Sequence, residues 1–248
     1  MKTPHLSKIL FVPDTHAPYH NESAWQLMLR AARWWKPEII VILGDFIDFY
    51  QVSSHDKHPK RMVGLNYEIE TTLSLLTDLD GLKPTRKVYI AGNHEDRLTR
   101  YLMTKAPELY DVVDLMKILE LDKRNWDYVA YKDHYQLGKL YITHDTGTAG
   151  VRAHLDAQKS FQDNVVIGHT HRLSYTVVGN AKGKPHVAAM FGWLGDVHAV
   201  DYMHKIKAYT DWATGFGIGY MERNGNVHVR PVPIVDNKLV LEGKLFEV

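Results

Sequence analysis

Ile39-Ile40-Val41-Ile42-Leu43-Gly44-Asp45-Phe46-Ile47-Asp48 is the stretch on which the reading of this chain turns. Five apolar residues in a row, without polar alternation, are too few for a buried helix and describe a strand covered on both faces. Upstream, residues 8–12 (KILFV) form a second such run. Between the two, residues 22–35 carry the pattern of an amphipathic helix that Pro37 brings to an end. Downstream, Leu65, Ile69, Leu73 and Leu76 stand at helical spacing within 65–79, and residues 87–91 give a third strand. Strand, helix, strand, helix, strand is the opening of an α/β fold.

Beyond this opening, helices are expected over 95–105 and 108–119, separated by Pro107, and over 150–160. Strands are expected at 128–131, 139–143, 164–168, 174–178, 186–190, 215–222 and 227–232. Gly179-Asn180-Ala181-Lys182-Gly183 and Asn224-Gly225 are turn signals that join hairpins. The whole predicts an α/β sandwich: two sheets packed face to face, with helices covering the outside. No repeat, low-complexity run or linker divides the chain, so residues 1–248 read as one domain.

Composition narrows the chemistry. A formal net charge of +1 gives no overall basic field for nucleic acid, so local patches must decide. The chain has no cysteine, which excludes disulfides, thiolate zinc sites and a cysteine nucleophile. The apolar run at 9–12 is too short for a membrane span, so a soluble, cytoplasmic protein without a membrane partner is expected. With 15 histidines and no cysteine, imidazole becomes the natural metal donor.

Polar clusters follow five apolar runs. They are Asp14-Thr15-His16, Gly44-Asp45 with Asp48, Gly92-Asn93-His94-Glu95, His144, and Gly168-His169-Thr170-His171. In an α/β sheet the carboxyl ends of strands border one crevice, where ligands bind. Carboxylate and imidazole together suit manganese, iron, zinc or nickel, whereas magnesium or calcium calls for oxygen donors. Asp14 and His16, two residues apart in extended chain, can reach one ion, and His171 can join them. Asp45 can bridge two ions through its two oxygens, and Asn93, His144 and His169 complete the second. The glycines at 44, 92 and 168 are expected to let the backbone turn sharply there.

These five motifs, spanning roughly residues 9 to 172, resemble those of the calcineurin-like metallophosphoesterases. The small size and order of motifs are similar to phosphoesterases often encoded by bacteriophages. The resemblance implies a four-layer α/β/β/α sandwich of two mixed sheets flanked by helices, and a phosphoesterase with two divalent transition-metal ions, manganese ahead of iron, zinc or nickel. It implies Asp14, His16, Asp45 and His171 on the first ion, with Asp45, Asn93, His144 and His169 on the second. Two ions about 3.5–4 Å apart lower the pKa of a shared water and clamp the attacking and leaving oxygens of a phosphate ester. His94, not needed as a ligand, is the candidate general acid, and Asp48 the candidate to orient and charge it.

Two departures stand out. The family's protein Ser/Thr phosphatases resemble Gly-Asp-x-x-Asp-Arg, but Phe49 occupies the arginine position, and Arg97 or Arg172 can supply a phosphate contact from elsewhere. Asp145 follows His144 where the family usually shows glycine. The missing arginine tilts the expected substrate toward a phosphodiester, DNA or a nucleotide. A phosphomonoesterase of the Ser/Thr phosphatase type and an inactive binding protein of the same fold are the alternatives. Arg97 and Arg100 share a helix face, on which they either meet phosphate or pair with Glu95 and Asp96. The polar segment 51–61 (QVSSHDKHPKR) reads as a solvated loop, with contact to a nucleic-acid backbone the alternative. Residues 192–212, with Trp193, His198, His204, Lys205, Lys207, Tyr209 and Trp212, read as a flap packed on the sandwich, with base stacking beside phosphates the alternative.

Overall fold

The computed structural model describes residues 5–61, 63–199 and 211–248. The opening alternation is β1 (Ser7–Val12), α1 (Glu22–Trp35), β2 (Ile39–Ile42), α2 (Leu65–Asp80) and β3 (Arg86–Ile90). Then follow α3 (Asp96–Lys105), α4 (Leu115–Ile118), β4 (Asp127–Val129), β5 (Tyr135–Leu137), β6 (Leu140–Thr143), α5 (Ala153–Phe161) and β7 (Asn164–Ile167). The chain closes with β8 (Leu173–Val178), β9 (His186–Phe191), β10 (Gly215–Met221), β11 (Val227–Pro233), β12 (Lys238–Leu241) and β13 (Lys244–Glu247).

Six strands form one sheet in the order β11-β10-β1-β2-β3-β4, and five form the other in the order β5-β6-β7-β9-β8. Strands β1 to β4 run parallel, and β10 joins β1 antiparallel. In the second sheet β6, β7 and β9 are parallel, while β5 and β8 are antiparallel to their neighbours.

The period of two along β1 and β2 divides the core. Ile9, Phe11, Ile39 and Val41 meet Leu140, Ile142, Val166 and Phe191 between the sheets. Leu10, Val12, Ile40 and Ile42 face Trp25, Met28, Leu29 and Leu76 of the helices outside. On the far side Ala153 and Ala157 of α5 cover Val165, Ile167 and Ala188. The layers are therefore α/β/β/α, as expected. Helix α1 starts where the Asn21 side chain accepts the Ala24 amide at 3.0 Å. It ends where Lys36 takes φ +58° ahead of Pro37. Burying Trp25, Met28 and Leu29 contributes about 1.5–3 kcal/mol each.

Two stretches depart from the sequence pattern. The helix expected over 108–119 is a 3-10 turn at Pro107–Leu109 and the single turn of α4. Asp114 caps the Met116 amide at 2.9 Å, starting a new helix where an older one would have had to continue. The carboxyl-terminal hairpin β12–β13 turns on Glu242 and Gly243, both at positive φ, in place of an Asn-Gly signal. It lays Leu239, Leu241 and Phe246 in the core cluster that holds α1. Among the described residues no helix is long and apolar enough to cross a membrane.

Candidate metal centre

Strands β1, β2 and β3 of one sheet and β6 and β7 of the other each hand over to a loop carrying one motif. Backbone bonds knit these loops together. The amides of Thr15 and His16 donate to Asp45 O at 3.0 and 2.9 Å, Gly168 N donates to His144 O at 3.0 Å, and Leu194 N donates to Asp14 O at 2.7 Å. His16, Asp45, His169 and His171 all stand at φ between +48° and +68°. Left-handed backbone at a non-glycine residue costs about 1–3 kcal/mol, and it concentrates where a site must aim its side chains. Of the three glycines expected to turn the chain, only Gly44 has positive φ, +95°. Gly92 and Gly168 serve close approach instead: a Cβ on Gly92 would lie 2.2 Å from Asp45 Oδ1.

The donors gather in two groups. Asp14, His16 and His171 form one, with His16 Nε2 and His171 Nε2 3.0 Å apart and His171 Nε2 3.2 Å from Asp14 Oδ2. Asp45, His144 and His169 form the other. There His144 Nε2 lies 3.3 Å from Asp45 Oδ2 and 3.1 Å from Asn93 Oδ1. Donor atoms bound to one ion at about 2.0–2.2 Å stand roughly 3 Å apart, so these spacings fit a cation in each group. Asp14 Oδ2 is fully buried with the His171 imidazole beside it, an arrangement in which an ion would satisfy the carboxylate's remaining lone pairs. Asp45 turns Oδ2 toward His144, while Oδ1 accepts the His94 amide at 2.8 Å.

Electrostatics favour the anionic donors. Burial alone would raise the Asp14 carboxyl, but the bond to His171 and the charge of His144 hold it below the usual range. Burial likewise opposes ionisation of Asp45, yet His144 and His94 hold it well below that range. Burial lowers His169, which leaves a neutral imidazole. Burial would also lower His144, but Asp45 beside it raises the ring to about 10. His144 Nδ1 donates to Leu43 O at 2.8 Å, so Nε2 is the nitrogen facing the donors.

A pH dependence follows. In metal-free protein at pH 7–9 His144 Nε2 carries a proton that an incoming cation must displace. Affinity for a divalent ion in this group should rise about tenfold per pH unit toward pH 10, with one proton released. Calorimetry of Mn²⁺ binding in buffers of different ionisation enthalpy measures that proton. Binding without proton release would exclude His144 as a ligand.

Beside these groups stands a third set, His16, Asp48 and His94. His94 Nδ1 lies 3.5 Å from Asp48 Oδ2 and 3.2 Å from the Asp48 carbonyl. His94 Nε2 stands 3.7 Å from Asp45 Oδ2, at the edge of the donor cluster. Asp48 is held well below the carboxylate range against its burial, chiefly by His94 and His16. It does not hold His94 charged in return: burial lowers the ring, and Asp45 and Asp48 do not make up the difference against Arg97 and His16.

The arginines separate. Arg97 turns inward, donating through Nη1 to Asp48 Oδ1 and O at 2.9 Å and through Nη2 to His94 Nε2 at 2.9 Å. Arg100 stays on the surface, paired with Asp96 at 3.0 Å. Arg172 binds Asp211 and donates to Ala149 O and Thr170 O. Arg97 and Arg172 line one cavity of about 810 Å³ together with Asn93, His94, His169 and His171. Phe49 is fully buried and offers the cavity no polar group.

Three features escape the motif reading. Glu95 is not on an exposed face: it is buried, and its carboxylate accepts the amides of Asp45, Phe46, Ile47 and Gly92 at 2.7–3.2 Å, plus the Tyr89 hydroxyl at 2.8 Å. The 51–61 loop is not simply solvated, since Ser53, His55, Lys57, His58 and Arg61 line the cavity. Trp193 does pack on the sandwich as expected, and its ring stacks on His171 at 4.7 Å while Trp212 meets the same imidazole edge-on at 4.5 Å. His204, Lys205, Lys207 and Tyr209 lie outside the described residues.

Clustered Asp, Asn and His donors at the strand ends of an α/β/β/α sandwich define a metal-dependent hydrolase of phosphate esters, and residues 7–209 match the family described as calcineurin-like phosphoesterase, to which this chain belongs. It is similar to the Gene 54 proteins of two mycobacteriophages. Identity with that of phage D29 is 25% over 271 residues, covering 97% of this chain and 99% of that protein; with that of phage L5 it is 24% over 268 residues, with the same coverage. Among solved structures it is similar to Vps29 of Entamoeba histolytica, described as complexed with Zn+2 (12% identity, TM-score 0.48, 96% of this chain and 95% of that one). It is also similar to the phosphoesterase Yfce of E. coli (14% identity, TM-score 0.41, 89% and 96%).

Proposed function

We propose that the chain is a dinuclear phosphodiesterase acting on nucleic acid or a nucleotide, with manganese the preferred ion. The observation that carries the two-ion reading is the pair of donor groups drawn together beside Asp45, at the wall of a cavity that also holds His94. Asp14, His16 and His171 would hold one ion and Asn93, His144 and His169 the other, with Asp45 between the two groups. Bound there, the ions supply an activated water and charge to clamp the reacting oxygens.

The chain's own residues do the rest. His94 Nε2 accepts from Arg97 in this structure; when a substrate phosphate draws Arg97 away, the ring takes up a proton there and passes it to the leaving oxygen, while Asp48 fixes the ring through Nδ1. Arg97 and Arg172, on the cavity wall, hold the phosphate. The preference for a diester rests on Phe49, which stands at the arginine position where the family's protein Ser/Thr phosphatases resemble Gly-Asp-x-x-Asp-Arg.

Protein stripped with chelator and reloaded with Mn²⁺ should hydrolyse bis-para-nitrophenyl phosphate faster than the monoester, and cleave single- or double-stranded DNA. A higher kcat/KM on the monoester would move the reading to a phosphomonoesterase. Metal-loaded protein inert toward every ester would leave a binding protein of the same fold.

A further inference from the structure

The cavity wall carries a guanidinium that no motif announces. Arg61 lies in the 3-10 turn Pro59–Arg61 at the end of the polar loop, with its side chain only 10% exposed. Its guanidinium carbon is 4.0 Å from the Tyr19 ring centroid and 4.3 Å from that of Tyr50, and the two rings meet at 80°. The cation therefore sits in an aromatic corner, which fixes its plane. Nη2 reaches within 3.8 Å of Asp48 Oδ2, on the side opposite Arg97, which binds Oδ1. Both ends of the loop are tied down. Tyr19 OH donates to Arg61 O at 2.6 Å, and buried Glu68 accepts the Tyr50 and Gln51 amides at 3.0 and 3.3 Å.

Building on the phosphoesterase reading of this site, we propose that Arg61 is a phosphate-binding residue, which the 51–61 loop supplies to the cavity. Arginine keeps its charge when buried, and its planar fork matches the oxygens of a phosphoryl group. Arg61, Arg97 and the Asp48 carboxylate between them sum to one positive charge on a wall shared with His94 and His171. A phosphoryl group drawn there lies between the ion donors and two guanidinium groups. Held by Tyr19 and Tyr50, Arg61 meets it without having to be ordered first.

The test is calorimetric binding of inorganic phosphate to Mn²⁺-loaded protein, with metal content measured alongside. Arg61→Ala should weaken phosphate binding at least about tenfold at unchanged manganese content, with Arg61→Lys falling between. Millimolar guanidinium ion should restore binding to Arg61→Ala and leave the wild type unaffected. If the alanine variant fails to fold, Arg61→Lys alone decides, by a weaker phosphate affinity in a folded, metal-replete protein. Wild-type affinity in the folded variants, or a loss that only follows lost manganese, overturns the proposal. Wild-type protein that binds phosphate through Arg61 yet hydrolyses no ester would overturn the enzymatic reading and leave this one standing.

Discussion

Replacing His94 by alanine should lower kcat on a dialkyl phosphodiester by ~10²–10⁴-fold, while the protein keeps its manganese. The expectation comes from the placement of His94 Nε2 beside the donor cluster, 3.7 Å from Asp45 Oδ2, with Nδ1 held at Asp48. A general acid matters in proportion to the basicity of the leaving oxygen. The same substitution should therefore cost much less on bis-para-nitrophenyl phosphate, whose nitrophenolate departs without a proton. Steady-state kinetics on the two diesters, with metal analysis of the same samples, separates the roles. An equal loss on both, accompanied by loss of manganese, would make His94 a ligand instead.

Glu95→Gln should be a strongly destabilising isosteric change. Oε1 accepts from Phe46 N, Ile47 N and the Tyr89 hydroxyl, and Oε2 accepts from Asp45 N and Gly92 N. Every partner is a donor. A glutamine must turn its NH₂ toward one of these sets, which replaces attraction by repulsion and strands buried N–H groups. The expected cost is roughly 3–6 kcal/mol, and a fall in Tm of order 10 °C for a chain of this size. Because the carboxylate fixes the loop that carries Asp45, metal affinity should fall with stability. Thermal melts with and without Mn²⁺ measure both, and a melt within 2 °C of wild type, ~0.5–1 kcal/mol, would sink the assignment.

Glu95 and Arg61 show where sequence reading stops. On the sequence Glu95 is one more acid at the start of a predicted helix, where acids are ordinary. Its role depends on β2 and β3 lying parallel, which brings four amides from two loops around one side chain. Arg61 sits among polar residues that suit solvent. Only the path of the loop back over the site, pinned by Tyr19 and Glu68, turns it inward. The carboxyl-terminal hairpin was hidden for a local reason: Glu-Gly at its turn is a weaker signal than Asn-Gly, and its strands have four residues each.

What the sequence determined by itself is the set of donors behind the apolar runs, together with the strands and helices of the opening half. Those follow from short-range physics, because periodicity, Pro37 and the residues directly after each run are local features. The tertiary structure alone decided which oxygen of Asp45 turns toward His144, that Arg97 turns inward while Arg100 stays at the surface, and that Arg61 enters the cavity. These depend on contacts between segments far apart in the chain, such as the His94 amide on Asp45 Oδ1 and the Tyr19–Tyr50 corner around a guanidinium. Composition and spacing carry no record of such contacts until the two sheets have packed.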